Sequence, residues 1–427
     1  MSKEIILTES EIKKWEPFVK SDKLPEMSET MEHTLTQLME NVSVENNLTQ
    51  QMVEESTSIA GGAMPTAPAT GAGLNPMLIG VLARAVPTMV GNHWLGTHAL
   101  TSPNGSIVAQ HVYQVAVPND GSANTETEVW NANRPNVNHS GDGTGVGHAY
   151  GTAEDLGTDR GSLDATNGGK VYPLKPWQQM SIKLSTVKVD LTKRALKSHL
   201  TNDVIEDLYR MYGVNAKTQL QNILKTQLVA EMDYERFNYV QDQAVVGAAG
   251  TTVAGTFDFA TDADGRWGEE YWKSFARFIK REAILVGQAN RYGMANKIIT
   301  SPNIAAGLED LSGFSKDVAI QNTVNTGKFV GMSYSGNWNG FEVYVDPYAT
   351  TDFVTLVYKG GTEAEAGGFY CPYSFKMYEA KGEEDFNPRI GVQMRYGIVH
   401  NPFASGASGA NPYFRTFLVD NIDYVAP

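Results

Sequence analysis

The segment from Val117 to about Pro173 sets the hardest limit on how this chain can fold. It is rich in Gly, Asn, Thr and Asp, and Trp130 is its main large apolar side chain, so it cannot bury a core of its own. A structureless insert of this length inside a compact domain is uncommon. It is either disordered or an extension that gains order from a neighbour. Its flanks read as strands, "SIVAQHVYQVAV" before and "MSIKLSTVKVDLTKRAL" after. Together they predict a long antiparallel arm with the polar segment at its far end.

The remaining residues must supply the core, and 427 residues at 41% hydrophobic are enough for one. "LTESEIKKWEPF" opens with a capping box, Thr8 and Glu11, and predicts a short helix to Pro17. From Ser28, Met31, Leu35, Leu38 and Val42 step by three and four, the stripe of an amphipathic helix. A Gly, Ala and Pro-rich break, "STSIAGGAMPTAPATGAGLNP", follows and makes this N-terminal block look detachable. A helix-like run from Pro76 ends at Pro87, and a turn at Pro103 to Gly105 leads into a strand from Ser106. "TNDVIEDLYRMYG" predicts a helix from a Thr201 or Asn202 cap to a Gly213 stop. A second helix restarts at Asn215, with Leu220, Leu224, Leu228 and Met232 in one row and Ile223 alongside. After an amphipathic helix over Glu269 to Gly287, the pattern turns to strands: "NKIITSP", "FEVYVDP", "DFVTLVYKG", "GFYCPYSFKMYEA" and "RIGVQMRYGIVHNP". The class is α+β.

Charge and chemistry narrow the function. The net charge of -14 opposes a surface that binds DNA or anionic lipid by neutralising phosphates. To Glu54 there are eleven acidic and five basic residues, so the head carries -6 of that total. No apolar run approaches the roughly 18 to 20 residues that span a bilayer, and the acidic N-terminus is no secretory signal. One cysteine, Cys371, excludes an intrachain disulfide framework and a zinc knuckle, fits a reducing compartment, and reads as a small buried hydrophobe. The histidines are scattered, without metal-site spacing. "GDGTGVG" (Gly141 to Gly147) lacks the lysine and the strand-to-helix context of a phosphate loop, and "TDADGRWGEE" lacks calcium-loop spacing and reads as a turn. No Gly-x-Ser-x-Gly occurs. No cofactor is expected. An acidic head, a polar arm and a long one-faced helix without catalytic motifs favour a chain whose surfaces are meant for copies of itself.

The stretch "GGFYCPYSFKMYEAKGEEDFNPRIGVQMRYGIVHNPF", Gly367 to Phe403, resembles the C-terminal region of the major capsid protein of T-even-like, contractile-tailed bacteriophages. There a "YYCPY" segment, an "F-x-P-x-I-G" turn and "RYG-x-x-x-NPF" follow in the same order. "GNWNGFEVYVDPYA", "NKIITSPNIAAGLEDL" and "STVKVDLTKRALKSHLTNDVIEDLYRMYGVNAKTQLQNILKTQLVAEMDYE" are similar to further family segments, so the resemblance covers about Asn75 to Phe403. It implies the Hong Kong 97 capsid fold. Residues 1–60 would be an acidic helical arm or propeptide, 61–112 a linker and the start of the peripheral domain, and 113–180 the E-loop. Residues 181–288 would be the peripheral domain with its spine helix, 289–400 the axial domain with returning peripheral strands, and 401–427 a C-terminal segment.

The implied function is a non-enzymatic major capsid protein that forms hexameric capsomers of an icosahedral or prolate shell around double-stranded DNA. It would reside in the virion, after assembly in the host cytoplasm. Implied partners are further copies, a vertex protein, a scaffold, a portal, a prohead protease and decoration proteins, with no sequence-specific nucleic-acid binding and no membrane. Candidate interface residues are Trp130, Tyr373, Phe386, Arg389, Arg395 and Tyr396, because aromatic side chains and arginine suit protein contacts. Candidate processing sites of apolar-x-Glu type end at Glu54 and Glu40. The E-loop segment is too short for the insertion domain of T-even proteins. It holds no lysine between Tyr113 and Gly169, which predicts shells without the lysine-asparagine crosslink of some relatives. A pentameric vertex protein and an encapsulin-like compartment share the fold, and a hydrolase on an α/β scaffold is the reading from another class.

Overall fold

A computed structural model describes residues 32–41, 89–116, 125–129, 179–213, 215–263, 267–290, 292–315, 332–362, 365–382, 387–404 and 406–422. The helix expected to Pro17, the Gly-rich break, the run from Pro76 to Pro87 and the GDGTGVG tip lie outside these residues. Helix α1 (residues 32–41) is followed by a 3-10 turn, Val90–His93, and strands β1 (Gly96–Thr97), β2 (Gly105–Ala116), β3 (Thr125–Val129), β4 (Gln179–Val189) and β5 (Thr192–His199). Next come α2 (Asn202–Tyr212), α3 (Ala216–Gln243), β6 (Ala244–Val246), β7 (Thr256–Asp258) and α4 (Gly268–Asn290). The chain continues through β8 (Lys297–Thr300), α5 (Pro302–Asp310), β9 (Phe314–Ser315), β10 (Ser333–Trp338), β11 (Phe341–Val345) and β12 (Phe353–Val357). It closes with β13 (Gly368–Lys381), β14 (Pro388–His400) and β15 (Asn411–Asp420).

One compact unit is built on Ser106–Val187. Its sheet runs β3-β2-β4, so the two flanks of the polar segment are neighbours. His111 Nε2 meets Ser185 Oγ at 2.5 Å, and Lys183 Nζ lies 4.8 Å from the Tyr113 ring. Partner numbers fall on one strand as they rise on the other, the antiparallel arrangement expected of the arm. Strand β3, inside the polar segment, was not anticipated; Lys183 holds its Glu126 by a salt bridge.

The second unit contains two cores. In the first, the sheet β1-β13-β14-β5 is covered by α3 and α1. Strand β14 alternates from Arg389 to Tyr396: Ile390, Val392, Met394 and Tyr396 face the core, while Arg389, Gly391, Gln393 and Arg395 take the other face. Leu224, Leu228 and Met232 of α3 meet them, with Leu220 packed at the edge. Ile223 does not share that face and is exposed. The buried stripe turns around the helix towards Gln221, Asp233, Arg236 and Phe237, which leaves Ile223 on the opposite side. The helix boundaries follow their caps. Gly213 ends α2 at φ 65, and the Asn215 side chain accepts from Lys217 N and Thr218 N at the start of α3.

Helix α1, expected in a block set apart from the body, is docked on it. Leu35, Leu38 and Met39 are buried in the first core. Asn41 Nδ2 donates to Leu100 O at 2.6 Å and Tyr373 O at 2.9 Å.

The second core lies under an eight-stranded sheet of order β6-β15-β12-β8-β11-β10-β9, with β7 also on β15. Phe275, Ile279, Ala283 and Val286 of α4 and Ile304 and Leu308 of α5 pack on Ile298, Val343, Val354, Leu356, Phe417 and Val419. It therefore draws on both sides of residue 288. Two residues with positive φ, Asn339 at 50 and Gly340 at 91, make the tight turn that pairs β10 with β11.

Candidate functional site

The candidate interface residues of β13 and β14 separate by strand parity. Tyr373 sits at the register shift between Pro372 and Ser374, buried, with Arg395 above its ring at 5.5 Å. Arg395 pairs in register with Ser374 on one side and Lys193 on the other; Arg389, exposed, pairs with Ala380 and His199. Tyr396 points the other way. It is buried against α3, accepts from Arg194 Nε at 2.7 Å, and donates to Glu235. Arg194 also reaches Glu235 and Glu231, at 2.7 and 3.2 Å. Burial and the Glu235 carboxylate push the Tyr396 hydroxyl up to about 12. Trp130, Phe386 and Glu54 lie outside the described residues. Glu40 is half-buried on α1, next to the buried pair Leu38 and Met39.

Sequence reasoning missed the group that fastens the N-terminal turn to α3. Asp233 accepts from Val90 N at 3.1 Å and Gly91 N at 3.0 Å. Arg236, fully buried, donates to Asn92 Oδ1 at 3.0 Å and lies 3.6 Å from the centre of the Tyr370 ring. Gly91 is required by proximity, since a Cβ there would come within 2.4 Å of Arg236 Cδ. Lys359 Nζ completes the clasp on Asn92 O and Leu95 O, at 2.8 and 3.0 Å. Burial drives the Asp233 carboxyl above its ordinary pKa, against the pull of Arg236 and the two amides. A signal was present: Arg236 continues the row Leu224, Leu228, Met232, so an arginine falls where the stripe calls for an apolar side chain. A second buried acid, Glu282 of α4, is held by Arg415 of β15 and Arg281.

These groups join elements of the chain. Among the described residues no set of His, Cys, Asp and Glu is placed to hold a metal. Burial pushes the Cys371 thiol up to about 12, the behaviour of an inert core cysteine. Asp262 of the TDADGRWGEE turn accepts from Thr252 N and Asp258 N. No helix among the described residues is long and apolar enough to cross a membrane.

The comparisons with known proteins agree with this structural character. The Gp23 family, described as "Major capsid protein Gp23", matches residues 72–419. The major capsid protein of Salmonella phage ViI is 29% identical over 99% of this chain and 100% of its own. That of Serratia phage KSP90 is 30% identical over 81% and 85%, and that of Enterobacteria phage T4 is 25% identical over 98% and 100%. A solved structure, the capsid of Myoviridae Phage XM1, shares 7% identity and a TM-score of 0.39 over 84% of this chain and 99% of that one, too slight a likeness to add to the argument.

The molecule is a structural component of a virus shell. The chain belongs to the Gp23 family of major capsid proteins. Its place is the virion capsid, into which copies of it assemble. Its parts match the Hong Kong 97 expectation in kind: an α+β chain with a strand-built arm, a long helix on a four-stranded sheet, and a larger mixed sheet.

Proposed function

We propose that this chain forms hexameric capsomers tiling an icosahedral or prolate head around double-stranded DNA. Residues 113–180 serve as the E-loop, α3 as the spine of the peripheral domain, and the region 289–400 as the axial domain with returning strands. The observation that carries the reading is the family match over residues 72–419, which spans the arm and both sheets. A vertex protein, scaffold, portal, prohead protease and decoration proteins are the partners this role calls for, with assembly in the host cytoplasm and no catalytic step by the chain itself. Arg389 and Arg395, on the sheet face turned away from α3, are positioned for contacts between copies; Trp130 and Phe386 remain candidates from sequence. Tyr373 and Tyr396 act through the packing of the protomer that presents that face.

Processing after Glu54 belongs to the same reading. Burial of Leu38 and Met39 supports Glu54 over Glu40, because a protease needs an accessible extended segment. Removing acidic residues would reduce self-repulsion inside the shell before DNA enters. Negative-stain electron microscopy of the full chain tests the proposal. Six-fold rings, tubes or shells are expected, whereas only five-fold rings would move the role to the vertex. The N-terminal residue in mature particles tests processing: Glu55 is expected, and Met1 would end that part.

A further inference from the structure

Among the described helices, α2 alone has no buried residue. Val204, Met211 and Tyr212 are 43, 72 and 69% exposed, and Ile205 and Leu208 are half-buried. Asp203, Glu206, Asp207 and Arg210 fill its polar side. A helix of eleven residues is marginal alone, and an amphipathic one takes its stability from what its apolar face meets.

The stripe is self-complementary. Its five apolar positions lie at -4, -3, 0, +3 and +4 from Leu208. A twofold axis through Leu208, perpendicular to the helix, lays the stripe on its own image in antiparallel sense. Leu208 meets Leu208, Met211 meets Ile205, and Tyr212 meets Val204. Glu206 and Arg210, paired at 3.6 Å within the helix, lie on the side turned away from that axis. The antiparallel sense also opposes the two helix dipoles favourably.

We propose that α2 is a twofold contact between copies of this chain, each covering the stripe with the α2 of a second copy. The proposal rests on the chain's membership of a shell-forming family and holds whether its rings are hexamers or pentamers. The other exposed apolar row, Met180, Ile182 and Leu184 on β4, lacks this symmetry and is the rival occupant.

Shells of the full chain carrying Leu208→Cys test the contact, because the buried Cys371 gives no background. Mild oxidation is expected to yield covalent dimers on a non-reducing denaturing gel, with none from the parent shells. Absence of dimers from intact shells overturns the proposal. Dimers that require Ile182→Cys in addition overturn it in favour of β4. Glu206→Cys, on the polar side of the same helix, should give no dimers under that oxidation. Dimers from Glu206→Cys shells and none from Leu208→Cys shells reject the contact.

Discussion

Arg236 shows how a single charge becomes structural. Replacing it with alanine removes the guanidinium that faces Asn92, Tyr370 and Asp233, and leaves the buried Asp233 without its cation. Arg236→Ala should cost about 3–5 kcal/mol, the range for breaking a buried pair by removing one partner. Denaturant unfolding measures this, and a loss near the ~0.5 kcal/mol of a surface change would show that water reaches Asp233. Glu342 gives the pH-dependent case. Burial opposes its ionisation, but the hydrogen bonds from Lys297 and Tyr344 prevail and hold its carboxyl below the ordinary value of 4.5. Because the folded pKa lies below the unfolded one, this contribution is present above the unfolded pKa and is lost as pH falls through the folded value. The difference in Tm between the parent and Glu342→Gln should therefore narrow from neutral pH to about 3. A constant difference would mean that the carboxylate does not titrate with folding.

At the scale of elements, α1 makes the strongest claim. Leu38→Ala should destabilise by about 2–5 kcal/mol, as expected for a buried leucine whose site cannot fully collapse. Starting the chain at Glu55 should lower the thermal midpoint further, since it removes Leu35, Leu38 and Met39 together from the first core. An unchanged midpoint would mean that the seat of α1 is filled otherwise. Period and punctuation made much of this fold legible: the row Leu224, Leu228, Met232, the caps at Asn215 and Gly213, and the alternation of β14 all follow local rules. Position in three dimensions was not legible. Nothing local says that residues 32–41 dock on a sheet made more than three hundred residues later, or that Arg236 meets Asn92. Strand β15 was missed for a related reason: "NPYFRTFLVD" alternates imperfectly because Phe414 is buried on the face opposite Tyr413, Phe417 and Val419. Of the candidate surface, composition picked out the β13–β14 region, but only strand parity separates Arg389 and Arg395 from Tyr396.

At the scale of the whole molecule, the segment between Tyr113 and Gly169 offers no lysine for a covalent link between copies. Shells dissolved in denaturant should run as monomers on a gel, and a ladder of covalent oligomers would refute a non-covalent shell. A last consequence concerns time. The bond from Asn41 to the carbonyl of Tyr373 spans 332 positions of sequence. At roughly 5–20 residues per second, the ribosome takes on the order of twenty seconds to a minute to travel that distance. Throughout that interval Leu35, Leu38 and Met39 exist without the sheet that will receive them. A helix made early is thus among the last elements to find its place, and each newborn copy passes through a window in which the apolar face of α1 is open to chaperones or to the wrong neighbour.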